Sequence, residues 1–272
     1  MKIIKFTGIV CIAMLLSGKL MAQTDQTLTV PLSEPGKPYK LDVDLVTGSI
    51  KVATYEGKDV VIDVTFPDSK KNKAEKEANG MHRISGGENI DVVAHEKGNV
   101  VSIGSSQPQK QVTLTIKIPQ GATNVKLRTV NGGGITASGL SGQIEASNTN
   151  GFIQVTDASG SVVANTTNGN VRVTFKSMDP KAPMAFTSFN GNVDVTFPAG
   201  LKANLKARAD QGNVYSDFDI APDASQPKTT KTAKDGMYRI TIEDWINGKI
   251  DGGGPEMLMK TFNGSIYVRK AK

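Results

Sequence analysis

The stretch Thr129–Val173 reads TVNGGGITASGLSGQIEASNTNGFIQVTDASGSVVANTTNGNVRV, and it decides the fold. A glycine recurs in it every nine residues and is followed two positions later by isoleucine or valine; these glycines are Gly133, Gly142, Gly151, Gly160 and Gly169. Asn-Gly units alternate with Ser-Gly units, so the full period is 18 residues. A fixed period of this length indicates a repeat architecture, in which each repeat buries its apolar side against its neighbours.

The repeats predict an all-β chain folded as a single-stranded β-solenoid. Its coils are expected to have about 18–22 residues, with short strands and Asn-Gly or Ser-Gly corners at which glycine supplies a positive φ. The motif spacing loosens after Val173, and the form already occurs at Thr47–Val52. We therefore divide the chain into an N-terminal β region, 23–120, forming the first coils of the same solenoid, and a repeat region, 121–272. No segment has a sustained helical period.

Alternation along each strand separates the expected core from the expected surface. Inward positions carry small or branched apolar residues, and they are Ile135, Ala137, Ile144, Ala146, Ile153, Val155, Val162, Ala164, Val171, Val173, Val193, Val195, Val214 and Ile266. The outward row beside them is Thr136, Gln154, Arg172, Asp194 and Tyr215. Within that row Arg172 is expected to form an exposed ion pair with Asp194, worth about 0.2–1 kcal/mol.

The asparagines of the Asn-Gly units occupy equivalent corners of successive repeats. They are Asn131, Asn150, Asn168 and Asn190. Stacked at strand spacing, their side-chain amides can donate and accept along the stack, so we predict a hydrogen-bonded amide ladder.

The N-terminus has the layout of a secretory signal peptide, which we assign to residues 1–22. Lys2 and Lys5 precede an apolar run from Phe6 to Leu16, and Ala22 ends a cleavage site. The run is shorter than the roughly 20 residues that a membrane span needs, although a retained anchor is the alternative. Cleavage removes Cys11, the single cysteine, and leaves 250 residues with a formal net charge of +3, three lysines fewer than the +6 of the full chain.

No motif for catalysis, a cofactor, a metal or nucleic acid is present in the sequence. His82 and His95 lie in separate polar segments without a partner at metal-ligand spacing. The glycine runs at 132–134 and 252–254 are not followed by the Gly-Lys-Ser/Thr of a phosphate loop. Basic residues are interspersed with acidic ones, unlike a nucleic-acid footprint. Asp42 and Asp44 share a strand face. Two interpretations of this pair are open: a cation site, or an acidic strand edge that is simply solvated.

The order and number of the repeat units resemble the bacterial family named "putative adhesin domain", whose members are exported β-repeat proteins of unknown function. The resemblance covers most of the mature chain and rests on Ile-Pro-Gln-Gly at 118–121, the units at 131–171, Gly-Gly-Gly-Pro-Glu at 252–256 and Thr-Phe-Asn-Gly-Ser-Ile at 261–266. It implies a solenoid-like β fold at the cell envelope, and the family provides no catalytic residues to transfer.

We therefore expect a non-enzymatic, adhesin-like binding or scaffold protein in the periplasm, at the cell surface or outside the cell. Its partner would be an envelope or surface protein or a glycan, and its oligomeric state is left open. The candidate contact groups are the loop at 220–236, Phe152 and Tyr215, with a packing role equally open for each. The alternatives are a polysaccharide-acting β-helix enzyme, which needs acidic groups converging on one face, and a structural or stress-responsive envelope protein.

Overall fold

A computed structural model describes residues 26–66, 91–222, 228–234, 237–243 and 245–272; for 222, 228–234 and 237–243 it describes the backbone alone. The expected signal peptide, Cys11 and His82 lie outside these residues. Every regular element in the described part is a β-strand. None of it is a helix of the length and apolar character needed to span a membrane.

The strands follow one another with short connections, and most of them alternate buried and exposed residues. In chain order they are β1 Gln26–Pro31, β2 Tyr39–Tyr55, β3 Asp59–Thr65, β4 Val92–Lys97, β5 Val100–Ser105, β6 Val112–Pro119, β7 Ala122–Asn131, β8 Ile135–Ser138, β9 Ser141–Asn150, β10 Ile153–Asn168, β11 Val171–Met178, β12 Met184–Asn190, β13 Val193–Phe197, β14 Ala203–Gln211, β15 Val214–Ser216, β16 Ile220–Pro222, β17 Lys228–Lys234, β18 Met237–Glu243, β19 Ile246–Ile250, β20 Glu256–Asn263 and β21 Ile266–Lys270.

Five parallel strands form a closed barrel, so the prediction of a single-stranded β-solenoid is wrong. β2 pairs with β7, β7 with β9, β9 with β10, β10 with β8, and β8 returns to β2. The ring closes because β2 and β10 have 17 and 16 residues, and the two halves of each pair with different neighbours. The remaining strands of a 19-stranded sheet are bonded outside this ring.

The order in which strands are stacked also differs from the order of the chain. β20 lies between β12 and β14, and β21 lies between β13 and β15. Antiparallel ladders join β1 to β3, β3 to β6, β4 to β5, and β19 to both β14 and β16. The nine-residue unit specifies a strand and a corner, whereas pairing between segments far apart in the chain decides which strand lies beside which. The repeat therefore carried no signal for this arrangement.

The segment expected to be a projecting loop, 220–236, contains strands. β16 pairs with β19, and β17 forms a hairpin with β18. This hairpin is a two-stranded sheet of its own. The high content of lysine, proline and aspartate had indicated a loop, and the Thr-Lys alternation of β17 was the strand signal that this interpretation overlooked.

The core lies between the inward faces of the strands, and the predicted inward positions are buried except Val214, which is half-buried. The interior is wider than the small repeat residues had indicated. Phe175 stacks on Phe197 with ring centroids 5.3 Å apart, and Phe186 meets both rings edge-on. These rings fill the interior where β11, β12 and β13 meet, so the buried phenylalanines are concentrated in one part of the core.

The predicted amide ladder is confirmed, and it extends one strand further than expected. Nδ2 of each asparagine donates to Oδ1 of its neighbour at 2.7 Å, through the series Asn131, Asn150, Asn168, Asn190 and Asn263. Asn263 joins the series because β20 lies beside β12. The ladder holds five strands in register at one corner of the fold.

The corner glycines are required for two different reasons. Gly142, Gly160 and Gly169 have the expected positive φ, but Gly133 and Gly151 do not. At Gly151 the constraint is space, because an added Cβ would lie less than 3.0 Å from the carbonyl oxygen of Gly133. The same close approach repeats along a glycine column made of Gly133, Gly151, Gly169, Gly191, Gly264 and Gly212.

Beside the glycine column runs a series of buried polar side chains. Each donates a hydrogen bond of 2.7–3.0 Å to the carbonyl of a corner glycine, and the donors are Thr129, Asn148, Thr166, Ser188 and Thr261. Asn148 is the one member with an amide, and its Oδ1 is buried without a hydrogen-bond partner among the described residues.

The substitution Gly169→Ala is expected to destabilise the fold, because the new Cβ meets the main chain of Gly151. Overpacking of this kind costs about 1–3 kcal/mol. Urea denaturation followed by circular dichroism measures the loss. Gly200→Ala is the matched control, since no atom lies within 4 Å of its added Cβ; equal stability of the two variants would contradict the close-approach argument.

The substitution Asn148→Thr is expected to stabilise the protein. Threonine at this position reproduces the bond that Thr129 and Thr166 make and removes the unpartnered amide oxygen, whose burial costs about 1–3 kcal/mol. Thermal unfolding should show a midpoint higher by roughly 2–4 °C for each kcal/mol gained. Asn148→Ala leaves the Gly133 carbonyl without its donor, so this variant should instead have a lower unfolding midpoint than the wild type. A lower midpoint for the threonine variant would show that the asparagine is well accommodated.

Candidate binding surface

One outward row crosses the six strands β8, β10, β11, β13, β21 and β15. In register it consists of Thr136, Gln154, Arg172, Asp194, Tyr267 and Tyr215. The predicted row lacked Tyr267, because β21 was not expected between β13 and β15. The sequence did contain the signal: Tyr267 follows Asn-Gly-Ser-Ile at the position that Arg172 has after Asn-Gly-Asn-Val.

Asp194 is the centre of the charged part of this row. Nε of Arg269 donates to Oδ1 of Asp194 at 2.7 Å, and Nε of Arg172 lies 4.0 Å from Oδ2. The predicted pair with Arg172 is thus confirmed, but it is the longer of two. The Asp194 carboxylate raises the pKa of the Arg269 guanidinium above its usual value, first through the hydrogen bond and then through its charge. Both arginines are solvent-exposed, so these pairs orient side chains more than they stabilise the fold.

Two stacked tyrosines continue the row towards the edge of the sheet. The ring centroids of Tyr215 and Tyr267 are 5.2 Å apart with an interplanar angle of 12°, and the Arg269 guanidinium lies 4.9 Å from the Tyr267 centroid. Tyr215 is 51% exposed. We call Arg172, Asp194, Tyr215, Tyr267 and Arg269 the Tyr–Arg patch. It is flat, because all five side chains project from the outward faces of adjacent strands.

The patch offers groups for binding, and its carboxylate has no acidic partner in register. The strand neighbours of Asp194 are Arg172 and Tyr267. A glycosidase needs two carboxyl groups facing one another across the scissile bond. In the described part of the chain there is also no group of three or more histidine, cysteine, aspartate or glutamate residues that could hold a metal ion.

The structure places the other sequence candidates away from the patch. Arg128 bonds to the carboxylates of both Asp42 and Asp44, at 3.1 and 3.2 Å, so these aspartates are paired with a cation of the protein itself. His95 is exposed on β4. Phe152 is 47% exposed, and its ring covers Gly134 so closely that a Cβ there would collide with it.

A cleft of about 530 Å³ opens near the N-terminal end of β2. Its lining includes Leu32, Pro35, Tyr39, Tyr55, Lys58 and Pro119. The Tyr39 hydroxyl donates to the carbonyl of Pro119 and is almost fully enclosed, and this burial raises its pKa well above the usual value. Because this hydroxyl is buried and already bonded within the protein, it forms part of the cleft wall and offers no free donor to a ligand. The cleft is therefore a weaker candidate binding site than the Tyr–Arg patch.

Comparisons with known proteins give little to identify the chain. No protein-family model matches it, and no curated protein matches it. It is similar to a crystal structure described as a "putative cell adhesion protein" from Clostridium sporogenes, with 12% identity and a TM-score of 0.43 over 91% of this chain and 99% of that one. Both values are too low to carry an argument. The resemblance to the adhesin family therefore rests on the repeat units, with no matching family model beside it.

Proposed function

We propose that this protein is a non-enzymatic, adhesin-like binding protein of the cell envelope or the extracellular space, and that it contacts a surface protein through the Tyr–Arg patch. The observation that carries the proposal is the stacked pair Tyr215 and Tyr267 beside Arg269, exposed on a flat sheet face. Tyrosine and arginine, with tryptophan, are the residues that dominate the binding energy of protein interfaces.

The patch is ordered before any partner arrives. Asp194 fixes the Arg269 guanidinium, and the two tyrosine rings restrict each other by stacking. Immobilising a flexible side chain on binding costs about 0.5–1.5 kcal/mol, so side chains that are already held lose less of the binding free energy. The pairing of Asp194 with two arginines supports a binding role over a catalytic one, because the two guanidinium groups already compensate the charge of the carboxylate.

The proposed location follows from the N-terminal sequence. Two lysines, an apolar run and Ala22 favour export through a signal peptide. Loss of that peptide leaves a chain without cysteine, which can fold equally well in an oxidising or a reducing compartment. Export and a preorganised flat patch together favour an adhesin-like role in the periplasm, at the cell surface or outside the cell.

The substitutions Tyr215→Ala and Tyr267→Ala are each expected to weaken partner binding by roughly 30-fold, the effect of removing a residue worth about 2 kcal/mol. The partner is first isolated by crosslinking the purified protein to intact cells of the source organism. Its affinity is then measured by surface plasmon resonance. Thr136→Ala, in the same outward row but on β8, is the control and should leave the affinity unchanged.

Three outcomes would contradict the proposal. The first is a saturable partner whose affinity neither tyrosine variant changes. The second is binding to glycans alone, with no protein partner recovered. The third is the release of new reducing ends from a polysaccharide by the wild-type protein and not by Asp194→Ala, which would make the chain an enzyme.

A further inference from the structure

A second outward row lies on a different group of strands from the Tyr–Arg patch, directly beside the amide ladder. It crosses β2, β7, β9, β10, β12 and β20, and the flanking residues of each strand pair in register. The row consists of Val46, Val130, Thr149, Thr167, Phe189 and Phe262, and we call it the Val–Phe row. At a strand spacing of about 4.8 Å, six strands span roughly 24 Å.

The Val–Phe row exposes an unusual amount of apolar surface. Val46, Val130 and Phe189 are 44, 39 and 50% exposed, and they are three of the eight large apolar residues with this degree of exposure in the described part of the chain. Phe262 stacks on Phe189 with centroids 4.9 Å apart and planes 4° from parallel. Aligned in one row on a sheet face, such residues mark a contact surface.

The composition of the row is complementary to itself. Its order is valine, valine, threonine, threonine, phenylalanine, phenylalanine. Two copies can face each other about a two-fold axis that runs parallel to the strands and passes between β9 and β10. This axis reverses the order of the strands in the second copy, so the row of one copy lies opposite the row of the other. Each small valine of one copy then faces a large phenylalanine of the other, and Thr149 faces Thr167. Isologous contacts of this kind are the commonest form of protein oligomer.

The neighbouring outward row has complementary charge about the same axis. It lies two residues earlier on each strand and includes Asp44 on β2 and Lys260 on β20, and it continues to Gly104 on β5 and Arg208 on β14. The axis places Lys260 of one copy opposite Asp44 of the other. Lys260 is exposed and has no carboxylate within 4.0 Å among the described residues, and the Asp44 side chain is 60% exposed beside Arg128. Lys260 is therefore open to pairing, and Asp44, although bonded to Arg128 at 3.2 Å, is exposed enough to accept a second cation across an interface.

We propose that the Val–Phe row is the interface of a homodimer, in which a second copy of this chain packs face to face with the strands aligned. Phe189 and Phe262 of each copy pack against Val130 and Val46 of the other. Asp44 of each copy forms an ion pair with Lys260 of the other. The Tyr–Arg patch is on other strands, so this interface does not depend on the proposed function.

Sedimentation of the full chain at micromolar concentration tests the dimer. We expect twice the mass of the monomer, and we expect Phe189→Asp to weaken self-association at least tenfold, because the new carboxylate is buried against valine. Phe152→Asp is the control, because Phe152 has nearly the same exposure and lies outside the row. A monomer at 100 µM, or equal effects of the two substitutions, would overturn the proposal.

A charge reversal separates this dimer from any other. Asp44→Lys and Lys260→Asp should each weaken self-association by roughly two- to thirtyfold, because the two-fold axis forms this exposed ion pair twice in each dimer and either substitution removes both. The double variant restores opposite charges across the two-fold axis and should associate more tightly than either single variant, but less tightly than the wild type, because Asp44→Lys also removes the partner of Arg128 within each copy. Circular dichroism establishes that each variant is folded. Additive weakening in the double variant would exclude the proposed pairing, as would a dimer that neither change affects.

Discussion

Successive corners of this chain lie so close together that there is no room for a methyl group between them. In the glycine column each glycine approaches the carbonyl oxygen of the preceding glycine, and a buried hydroxyl or amide donates to that same carbonyl, as Thr166 does at Gly151 and Ser188 at Gly169. The Asn131–Asn263 ladder lies at the outer rim of the same corner. Backbone contact, buried hydrogen bonds and exposed amides thus fix the register three times over. A strand that slipped by one residue would lose all three and turn its apolar side outward.

This fixed register is also what organises the two candidate contact surfaces. Because each strand meets its neighbour at the same corner, residues at one motif position line up across the sheet. Tyr215 and Tyr267 can stack only because their strands have the same phase, and the same holds for Phe189 and Phe262. The corners themselves bind nothing in this proposal. Their role is to align equivalent residues of successive strands, and this alignment determines where on the surface each side chain lies.

The sequence predicted the local structure well and the long-range order poorly. Strand positions, inward residues such as Ile153 and Val171, the amide ladder and the Arg172–Asp194 pair all follow from a period of nine and the alternation of side chains. The closed barrel does not, because it depends on β2 and β10 continuing through a corner where the motif indicated a break. The motif marks Tyr267 as an outward residue, but its neighbours in the row do not follow from the motif, which does not encode which strands β21 adjoins. The hairpin of β17 and β18 was hidden by a composition typical of loops.

The position of β20 and β21 has a consequence for how the molecule is made. Synthesis proceeds from the N-terminus, so β12–β13 and β14–β15 leave the ribosome before the strands that separate them. These earlier strands have no ladder with one another, and each is completed by residues 256–270. Residues 256–270 therefore join strands that are synthesised earlier but do not pair with one another. A polypeptide without residues 256–270 would leave an unpaired edge on each of β12, β13, β14 and β15, so the fold is complete only when this segment has been synthesised.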